Sequence, residues 1–256
     1  MNMIVDESNY SARNYRTPDG APSDIVIFTI ISTGKGSAKK SLPSRELHVM
    51  LIQRKVWPFQ GQWALPGGFC KDSESMYECA QRELHEETGV EGFLLQYLNV
   101  YSTPGRDPRG WIISHAFLAL VNEKMLKGRR AAVDAMDVHL FPVREALSME
   151  LAFDHRQILE DALVEIRKQM LTTTIAKEFL PKEFTISELY QVIQAIVPEF
   201  DEKNFVRKIT STQSRKGIIE EVRDHKGDLK KSNEYSQRAA QLYRFSETEP
   251  RLSLYQ

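Results

Sequence analysis

The segment from Gly68 to Val90 constrains the fold and the chemistry of this chain more than any other stretch. Its sequence, GFCKDSESMYECAQRELHEETGV, fits the pattern G-x5-E-x7-R-E-U-x-E-E-x-G-U, in which U is aliphatic. The fixed positions are occupied by Gly68, Glu74, Arg82, Glu83, Leu84, Glu86, Glu87, Gly89 and Val90. Because an average residue type fills roughly one position in fifteen, chance does not explain so many matches. The segment is therefore treated as a functional motif.

This motif predicts a helix with defined ends. Ser75-Met-Tyr-Glu78 is a capping box, so a helix is expected to begin at Ser75. Gly89 suits the left-handed residue that ends a helix. Between these ends, Glu83, Glu86 and Glu87 have the spacing i, i+3 and i+4, which places their carboxylates on one face.

The carboxylate face predicts a metal site. Like charges at this spacing repel by a few tenths of a kcal/mol per pair, and a hard divalent cation removes that repulsion. All-oxygen ligands favour Mg2+ or Mn2+ bound together with substrate phosphates. The predicted metal ligands are Gly68, Glu83, Glu86 and Glu87, and the predicted catalytic residues are Glu83, Glu86, Glu87 and Arg82. Arg82 is expected to orient one carboxylate by a bidentate pair. The alternative is an acidic helix face that is merely solvated, as acidic runs usually are.

Length and composition place few limits on function. The 256 residues suffice for one large domain or two small ones. The formal net charge of -1 gives no overall indication of nucleic-acid binding. Because we find no signal-peptide pattern and no apolar run long enough for a bilayer, we expect a cytoplasmic protein without membrane contact. Cys70 and Cys79 lack metal-ligand spacing and are interpreted as packing residues.

Strand patterns surround the motif. The apolar β-branched run from Asp24 to Ile31 predicts a buried strand, and residues 47–53, 93–101 and 112–121 are also strand-like. The second strand leads into a segment that contains Arg54, Trp57, Phe59 and Trp63. Its aromatic rings could stack on a base or belong to the core. Arg54 and Phe59 are candidate substrate-binding residues.

An Arg-Asp-Pro-Arg-Gly turn between two predicted strands supplies further substrate-binding candidates, namely Arg106, Asp107 and Arg109. Guanidinium groups suit diphosphates because their N–H groups bind pairs of oxygens. The alternative is a solvated turn in which arginine and aspartate pair locally.

Beyond Val143 the pattern changes from strands to helices, and we place a domain boundary near residue 150, between 1–150 and 151–256. Asp154 is expected to cap a helix, and Thr185-Ile-Ser-Glu188 is a second capping box. A further short helix is expected from Asp201 to Ile209. Strand-like residues 217–222 and 241–245 then predict a two-stranded hairpin. Helices followed by such a hairpin are the outline of a winged helix-turn-helix domain.

Charge supports DNA binding by this second domain. Residues 203–244 carry eleven basic and five acidic side chains, an excess of the kind that contacts phosphates. The predicted DNA-binding residues are Lys203, Asn204, Arg207, Lys208, Lys216 and Lys230. The first four lie on the expected major-groove helix, whereas Lys216 and Lys230, with Lys226 and Lys231, belong to the wing. The alternative is an ordinary solvated surface.

Several segments also resemble known families. The motif resembles the Nudix box of Nudix hydrolases. RDPRGWIISHAFLALV is similar to a stretch of Nudix proteins that act on ADP-ribose, and DAMDVHLFP resembles the acidic loop that closes their domain. LAFDHRQILEDAL, LPKEFTISELYQVIQAI, DEKNFVRKI and RAAQLYRF resemble the linker, helices and closing strand of Nudix-related transcriptional regulators of the NrtR type.

This resemblance implies an α+β protein, with a Nudix α/β/α sandwich followed by a C-terminal winged helix-turn-helix domain. It also implies a homodimeric regulator of NAD or sugar metabolism genes that senses ADP-ribose or a related nucleoside diphosphate and binds a double-stranded DNA operator. The intact box keeps open a Mg2+-dependent hydrolase that converts ADP-ribose to AMP and ribose 5-phosphate. Asp134 and Asp137 are alternative catalytic bases. A Nudix fold that serves only protein interactions is disfavoured by the intact carboxylates.

Overall fold

The computed structural model describes residues 16–33, 42–89, 93–127, 138–201, 205, 209, 218–235 and 238–246. A seven-stranded mixed sheet lies at its centre, with the path β3-β2-β1-β6-β5 and with β4 added on β1 and β7 on β2. The strands are β1 (Pro22–Thr33), β2 (Ser44–Gln53), β3 (Trp63–Ala64), β4 (Gly67–Phe69), β5 (Leu94–Tyr101), β6 (Ser114–Leu120) and β7 (Val138–Pro142). β1 and β6 are parallel, and the other pairs are antiparallel. The four strands predicted before residue 150 are confirmed, with ends that differ by a few residues.

The central part of strand β1, residues 25–31, is apolar except for Thr29 because both of its faces are covered. Ile25 and Ile27 pack into a cluster with the box helix α1 (Met76–Thr88). Val26 and Phe28, on the opposite face, pack into a second cluster that includes the C-terminal helices. Since side chains alternate along a strand, this arrangement requires a continuous apolar run instead of an alternating one.

The remaining helices are α2 (Glu123–Lys127), α3 (Val143–Ala146), α4 (His155–Thr172), a 3-10 helix (Ile175–Phe179) and α5 (Ile186–Ile196). The apolar face of α4, which includes Ile158, Ala162 and Ile166, belongs to the same core as Val26 and as the buried residues of α5. Helix α4 therefore connects the sheet to the C-terminal part of the chain. No helix in the described ranges is long and apolar enough to cross a membrane.

The C-terminal region follows the predicted pattern in its described helices and in its two predicted strands, and it contains two further strands. Helix α5 begins with the predicted capping box, because the Thr185 and Glu188 side chains each bind the other's backbone N–H. Phe205 and Ile209 are helical and buried. The rest of the helix predicted after Asp201 lies outside the described residues.

The two strands predicted for the wing are confirmed and pair with each other, because β8 (Ile219–Glu221) is antiparallel to β11 (Tyr243–Phe245). The described part of the wing also contains a second ladder that was not predicted, in which β9 (Lys231–Ser232) pairs with β10 (Ala240–Gln241). The second ladder follows a turn at residues 224–228, in which the Asp224 carboxylate accepts hydrogen bonds from the N–H groups of Lys226 and Asp228. This turn reverses the chain early, so that part of the intervening polar stretch joins the wing.

Candidate functional site

The box helix has the ends that its sequence predicts. The Ser75 hydroxyl accepts a hydrogen bond from the Glu78 N–H, and the Glu78 carboxylate accepts one from the Ser75 N–H. Gly89 ends the helix in the left-handed conformation, with φ of 61°. Ala80 and Leu84 are fully buried and fix the helix against the sheet. Glu86 is exposed, whereas Glu83 and Glu87 are partly buried.

Arg82 links the acidic groups of the box. Its Nε and Nη2 atoms donate to the two carboxylate oxygens of Glu74 at 3.0 and 2.7 Å. Its Nη1 atom donates to Glu83 at 2.6 Å and to Glu86 at 3.3 Å. Hydrogen bonds from Arg82 and from the Lys71 N–H lower the pKa of Glu74 to about 2. The bidentate pair predicted for Arg82 is thus present, but its partner is Glu74, which was not among the predicted metal ligands.

Glu87 is the most buried carboxylate of the box. Burial, followed by the charge of Glu83, raises the pKa of Glu87 to about 8, although the Gly67 N–H donates to it. One oxygen of this carboxylate is buried without a hydrogen-bond partner. A buried polar atom of this kind is costly unless something binds it.

Gly68 is packed against a second acidic side chain. A Cβ atom at this position would lie 2.2 Å from an oxygen of Glu83, so that only glycine leaves room for the carboxylate. The partnerless oxygen of Glu87, the glycine beside Glu83 and the all-oxygen set fit a hard divalent cation.

These groups are not gathered into a finished metal site. Among the residues that the structure describes, no three His, Cys, Asp or Glu side chains converge closely enough to hold a metal. Arg82 explains this, because it holds Glu83 and Glu86 on its own Nη1 atom. The metal ligands Gly68, Glu83, Glu86 and Glu87 therefore stay a prediction.

A cavity of about 90 Å³ lies beside the box. It brings together four of the five predicted substrate-binding residues, Arg54, Arg106, Asp107 and Arg109, with the metal-site residue Gly68. The other residues that line it are Pro22, Asp24, Ile52, Leu65, Gly67, Phe69, Phe153 and His155. The fifth predicted residue, Phe59, lies just behind this wall, with its ring 4.8 Å from that of Phe153.

Arg109 and Asp107 pair locally, as one interpretation of the turn expected. The Asp107 carboxylate accepts hydrogen bonds from the backbone N–H, Nε and Nη2 of Arg109 at 2.6 to 3.1 Å. Although burial acts in the opposite direction, these bonds keep the pKa of Asp107 below its ordinary value. Asp107 is only 3% exposed, whereas Pro108, Arg109 and Gly110 of the same turn are exposed.

Arg106 is buried and joins two parts of the chain. Its Nε and Nη2 atoms donate to both carboxylate oxygens of Asp154 at 2.8 and 2.6 Å. Its Nη2 atom also lies 3.3 Å from Asp24, which accepts a hydrogen bond from Ser114. The prediction that Asp154 caps helix α4 is wrong: it occupies the N-cap position but makes no side-chain cap bond. Its carboxylate is occupied by Arg106 instead.

The Phe153 ring contacts two guanidinium groups. Arg54 lies 4.8 Å and Arg109 5.4 Å from its ring centroid, and Arg109 also lies 4.7 Å from Phe69. Burial and the nearby Arg109 lower the pKa of Arg54. A site that crowds guanidinium groups in this way favours an anionic ligand, because an anion offsets their mutual repulsion.

Sequence reasoning did not identify Asp24, Phe153 or His155 as site residues. The Nδ1 atom of buried His155 accepts a hydrogen bond from the Leu65 N–H at 2.8 Å, and its Nε2 atom lies 3.6 Å from Asp24. Burial lowers the pKa of His155 despite the nearby Asp24 charge, so this histidine is neutral. The only available signal was the run Phe-Asp-His just before a helical pattern, and its role depends on contacts 90 residues apart in sequence.

The other aromatic residues separate in the structure. Trp63 is partly buried and packs edge-on against Phe141 and His139 in the core. Trp57 is 66% exposed. Neither lines the cavity.

Of the six predicted DNA-binding residues, only Lys230 is described. Its Nζ atom lies 2.6 Å from the carboxylate of Glu183. Lys203, Asn204, Arg207, Lys208 and Lys216 lie outside the described residues, as do the alternative bases Asp134 and Asp137. In the described part of the wing, Arg223 and Arg244 pair with Glu221 and Glu220.

Comparison with known families assigns both halves of the chain. The NUDIX domain family matches residues 42–162, and the NrtR DNA-binding winged helix domain family matches residues 176–245. These matches confirm the fold expected from the sequence, a Nudix sandwich followed by a winged helix domain.

Individual relatives agree with this assignment. The chain is 30% identical, over 94% of its length and 88% of the relative, to the ADPR responsive transcriptional repressor NtrR of Acinetobacter baylyi. It is 42% identical to an ADP-ribose pyrophosphatase of Methanocaldococcus jannaschii, over 53% of this chain and 89% of that protein. The crystal structure of Shewanella oneidensis NrtR with a 27mer DNA superposes with a TM-score of 0.68 and 28% identity, covering 88% of this chain and 93% of that one.

Proposed function

Because the chain belongs to the NrtR family, which joins a Nudix domain to a DNA-binding winged helix, we propose that it regulates transcription in response to ADP-ribose. One observation carries the proposal. A single chain contains both a cavity lined by three arginines and a winged helix domain, and this chain is similar almost end to end to an ADPR-responsive repressor. Regulation of NAD or sugar metabolism genes is the role that fits such a ligand.

The cavity supports a diphosphate ligand. Arg54, Arg106 and Arg109 would bind the diphosphate oxygens, as guanidinium forks do in many phosphate sites. Phe153 and Phe59 offer apolar surface to the nucleoside. A divalent cation, Mg2+ or Mn2+, held by the box carboxylates and the Gly68 carbonyl, would neutralise part of the diphosphate charge.

DNA binding is assigned to the C-terminal domain. Lys203, Asn204, Arg207 and Lys208 are proposed to contact the major groove, and Lys216 and Lys230 the phosphate backbone. Within the described wing, neither Lys226 nor Lys231 forms an ion pair with a described carboxylate. Both are therefore proposed to contact the DNA backbone as well. A homodimer that reads a two-fold symmetric operator in the cytoplasm is the natural assembly for such a domain. The domain boundary is proposed near residue 150.

The test is selection of bound duplexes from a random-sequence DNA library by the full-length protein, followed by fluorescence anisotropy at physiological salt. We expect one enriched sequence, bound at least about a thousandfold more tightly than a scrambled duplex. Isothermal titration with ADP-ribose is expected to show binding by the same preparation. Equal affinity for enriched and scrambled duplexes would contradict the regulator assignment.

A second candidate function is hydrolysis of ADP-ribose to AMP and ribose 5-phosphate. The complete box favours it, and so does the similarity to an archaeal ADP-ribose pyrophosphatase. The arginines would hold the diphosphate, while Glu83 and Glu87 would hold the cation, which supplies charge stabilisation when bound. Asp134 and Asp137 stay open as alternative bases.

Incubation with ADP-ribose and Mg2+, followed by chromatography, tests the second candidate. AMP that appears with the wild type and with Glu160→Gln, but not with Glu83→Gln or Glu87→Gln, would establish hydrolysis at the box. Glu160 is an exposed residue of α4 and serves as the matched control. If ADP-ribose binds but stays intact, the chain is a sensor without turnover.

A further inference from the structure

The cavity is too small to enclose the ligand that its residues suit. Its volume is about 90 Å³, whereas sites for ligands of this class occupy roughly 300–1,000 Å³. The cavity is also half open to solvent, so a bound nucleoside diphosphate would extend out of it unless a wall moves. Asp24 and Leu65, which line the cavity, are buried and belong to the sheet and to the segment between β3 and β4. Other lining side chains come from turns and from the start of helix α4.

Phe153 is the part of the wall that we expect to move. Its ring contacts the guanidinium groups of both Arg54 and Arg109. Its φ of 54° lies in the left-handed region, which is strained for a residue other than glycine. A diphosphate that binds both guanidinium groups would compete with this ring for them. Displacement also allows the backbone to leave its strained conformation.

Asp154 and His155, which follow Phe153 in the chain, also contact residues of the cavity. Asp154 occupies both the Nε and the Nη2 atoms of Arg106, which are the atoms that a diphosphate would use. His155 holds the N–H of Leu65, at the beginning of the loop that contains Gly67 and Gly68. The residues around the start of α4 thus contact three parts of the site. Phe153 contacts Arg54 and Arg109, Asp154 binds Arg106, and His155 binds the loop that leads to Gly67 and Gly68.

The far end of α4 is attached to the winged helix domain. Ile166 and Met170 are fully buried in a core shared with α5. The Arg167 Nε atom donates to the carbonyl of Ile196 at the C-terminus of α5, at 3.1 Å. Helix α4 has 18 residues, a length of about 27 Å at 1.5 Å per residue. A shift of its first turn is therefore transmitted to α5 without a flexible segment in between.

We propose that Phe153, Asp154 and His155 form a switch between the two domains, which we call the α4 switch. A nucleoside diphosphate takes Arg106 from Asp154 and displaces Phe153, and the freed end of α4 shifts the winged helix domain. The proposal rests on the proposed function, because it specifies how occupancy of that pocket reaches the DNA.

The test compares Asp154→Asn with Asp161→Asn in the full-length protein. Asp161 lies on helix α4 and contacts the sheet, since it accepts a hydrogen bond from the Tyr101 hydroxyl at 2.7 Å, but it does not bind Arg106, whose described partners are Asp154 and Asp24. For each variant, the measured quantity is the ratio of the duplex dissociation constants with and without saturating ADP-ribose. The duplex is the enriched sequence from the library selection.

In the wild type and in Asp161→Asn, this ratio is expected to differ from one by about 5- to 150-fold, the usual range of allosteric coupling. In Asp154→Asn, Arg106 loses its charged partner at residue 154 and keeps only Asp24, so the ratio is expected to approach one and ADP-ribose to bind about threefold more tightly or better. A wild-type ratio in Asp154→Asn would overturn the α4 switch. A ratio of one in the wild type would overturn the proposed function and the switch with it.

Phe153→Gly provides an independent variant in case Asp154→Asn is poorly folded. Glycine adopts the observed φ of 54° without strain, so the backbone of the junction is retained while the wall is lost. The expected result is again a ratio near one with ADP-ribose binding preserved. Binding preserved together with the wild-type ratio would count against the switch.

Discussion

Glu87→Gln is expected to change how the stability of this protein depends on pH. Burial and the charge of Glu83 raise the pKa of the Glu87 carboxyl to about 8, compared with 4.5 for a free glutamate. Between these two values, the folded protein keeps a proton that the unfolded chain has lost. The free energy of unfolding therefore falls as the pH rises through this window. Glutamine has no ionisable group and still accepts a hydrogen bond from the Gly67 N–H.

The size of the effect follows from the same two pKa values. Each pH unit inside the window lowers the free energy of unfolding by about 1.4 kcal/mol. The contribution of Glu87 is complete below pH 4.5, and about 3 kcal/mol of it is lost by pH 7. Glu87→Gln is expected to be more stable than the wild type by an amount of this order at pH 7, and by more at pH 8.

Urea unfolding at pH 5, 6, 7 and 8 in the presence of a chelator measures this difference. Glu160→Gln, in which an exposed glutamate of α4 is changed, is expected to give the wild-type profile. Added Mg2+ is expected to stabilise the wild type more than Glu87→Gln, because a cation favours the ionised carboxylate. If the free energy of unfolding depends on pH in the same way for the wild type and Glu87→Gln, this prediction is contradicted. That result would show that Glu87 ionises equally in the folded and unfolded states.

Three further predictions concern other parts of the chain. Gly68→Ala places a methyl group 2.2 Å from an oxygen of Glu83, which is the end of a flexible side chain; titration calorimetry is expected to show weaker Mg2+ binding while the melting temperature changes little. Thr185→Ala removes the α5 cap and is expected to lower the free energy of unfolding by about 1 kcal/mol in urea. Lys231→Ala is expected to reduce the salt dependence of duplex binding by about one counterion. Lys230→Ala is expected to reduce it less, because Lys230 is paired with Glu183.

The sequence predicted those features that depend on neighbours along the chain. The box helix has the predicted ends, because Ser75, Glu78 and Gly89 act within one or two turns. Helix α5 begins at its predicted capping box for the same reason. The buried strand β1 was recognisable because a strand covered on both faces has apolar side chains on both, as Ile25 to Phe28 do.

Contacts between distant segments were not predictable in this way. Asp154 has the type and position of a helix cap, but Arg106, 48 residues away, takes its carboxylate because two charge-assisted bonds are stronger than a cap. His155 was missed because its partners, Leu65 and Asp24, are brought to it only by the packing of α4 on the sheet. The second ladder of the wing was missed because it forms, after an aspartate turn, from a polar stretch that had no strand pattern.

The most direct test of the account is the effect of ADP-ribose on DNA binding by the wild-type protein. Fluorescence anisotropy with the enriched duplex is measured with and without ADP-ribose, in a buffer with chelator so that the ligand is not hydrolysed. If ADP-ribose regulates DNA binding, the dissociation constant of the duplex is expected to change by at least about fivefold, in one direction and saturably. An unchanged dissociation constant, at ADP-ribose concentrations that calorimetry shows to saturate the protein, would contradict it.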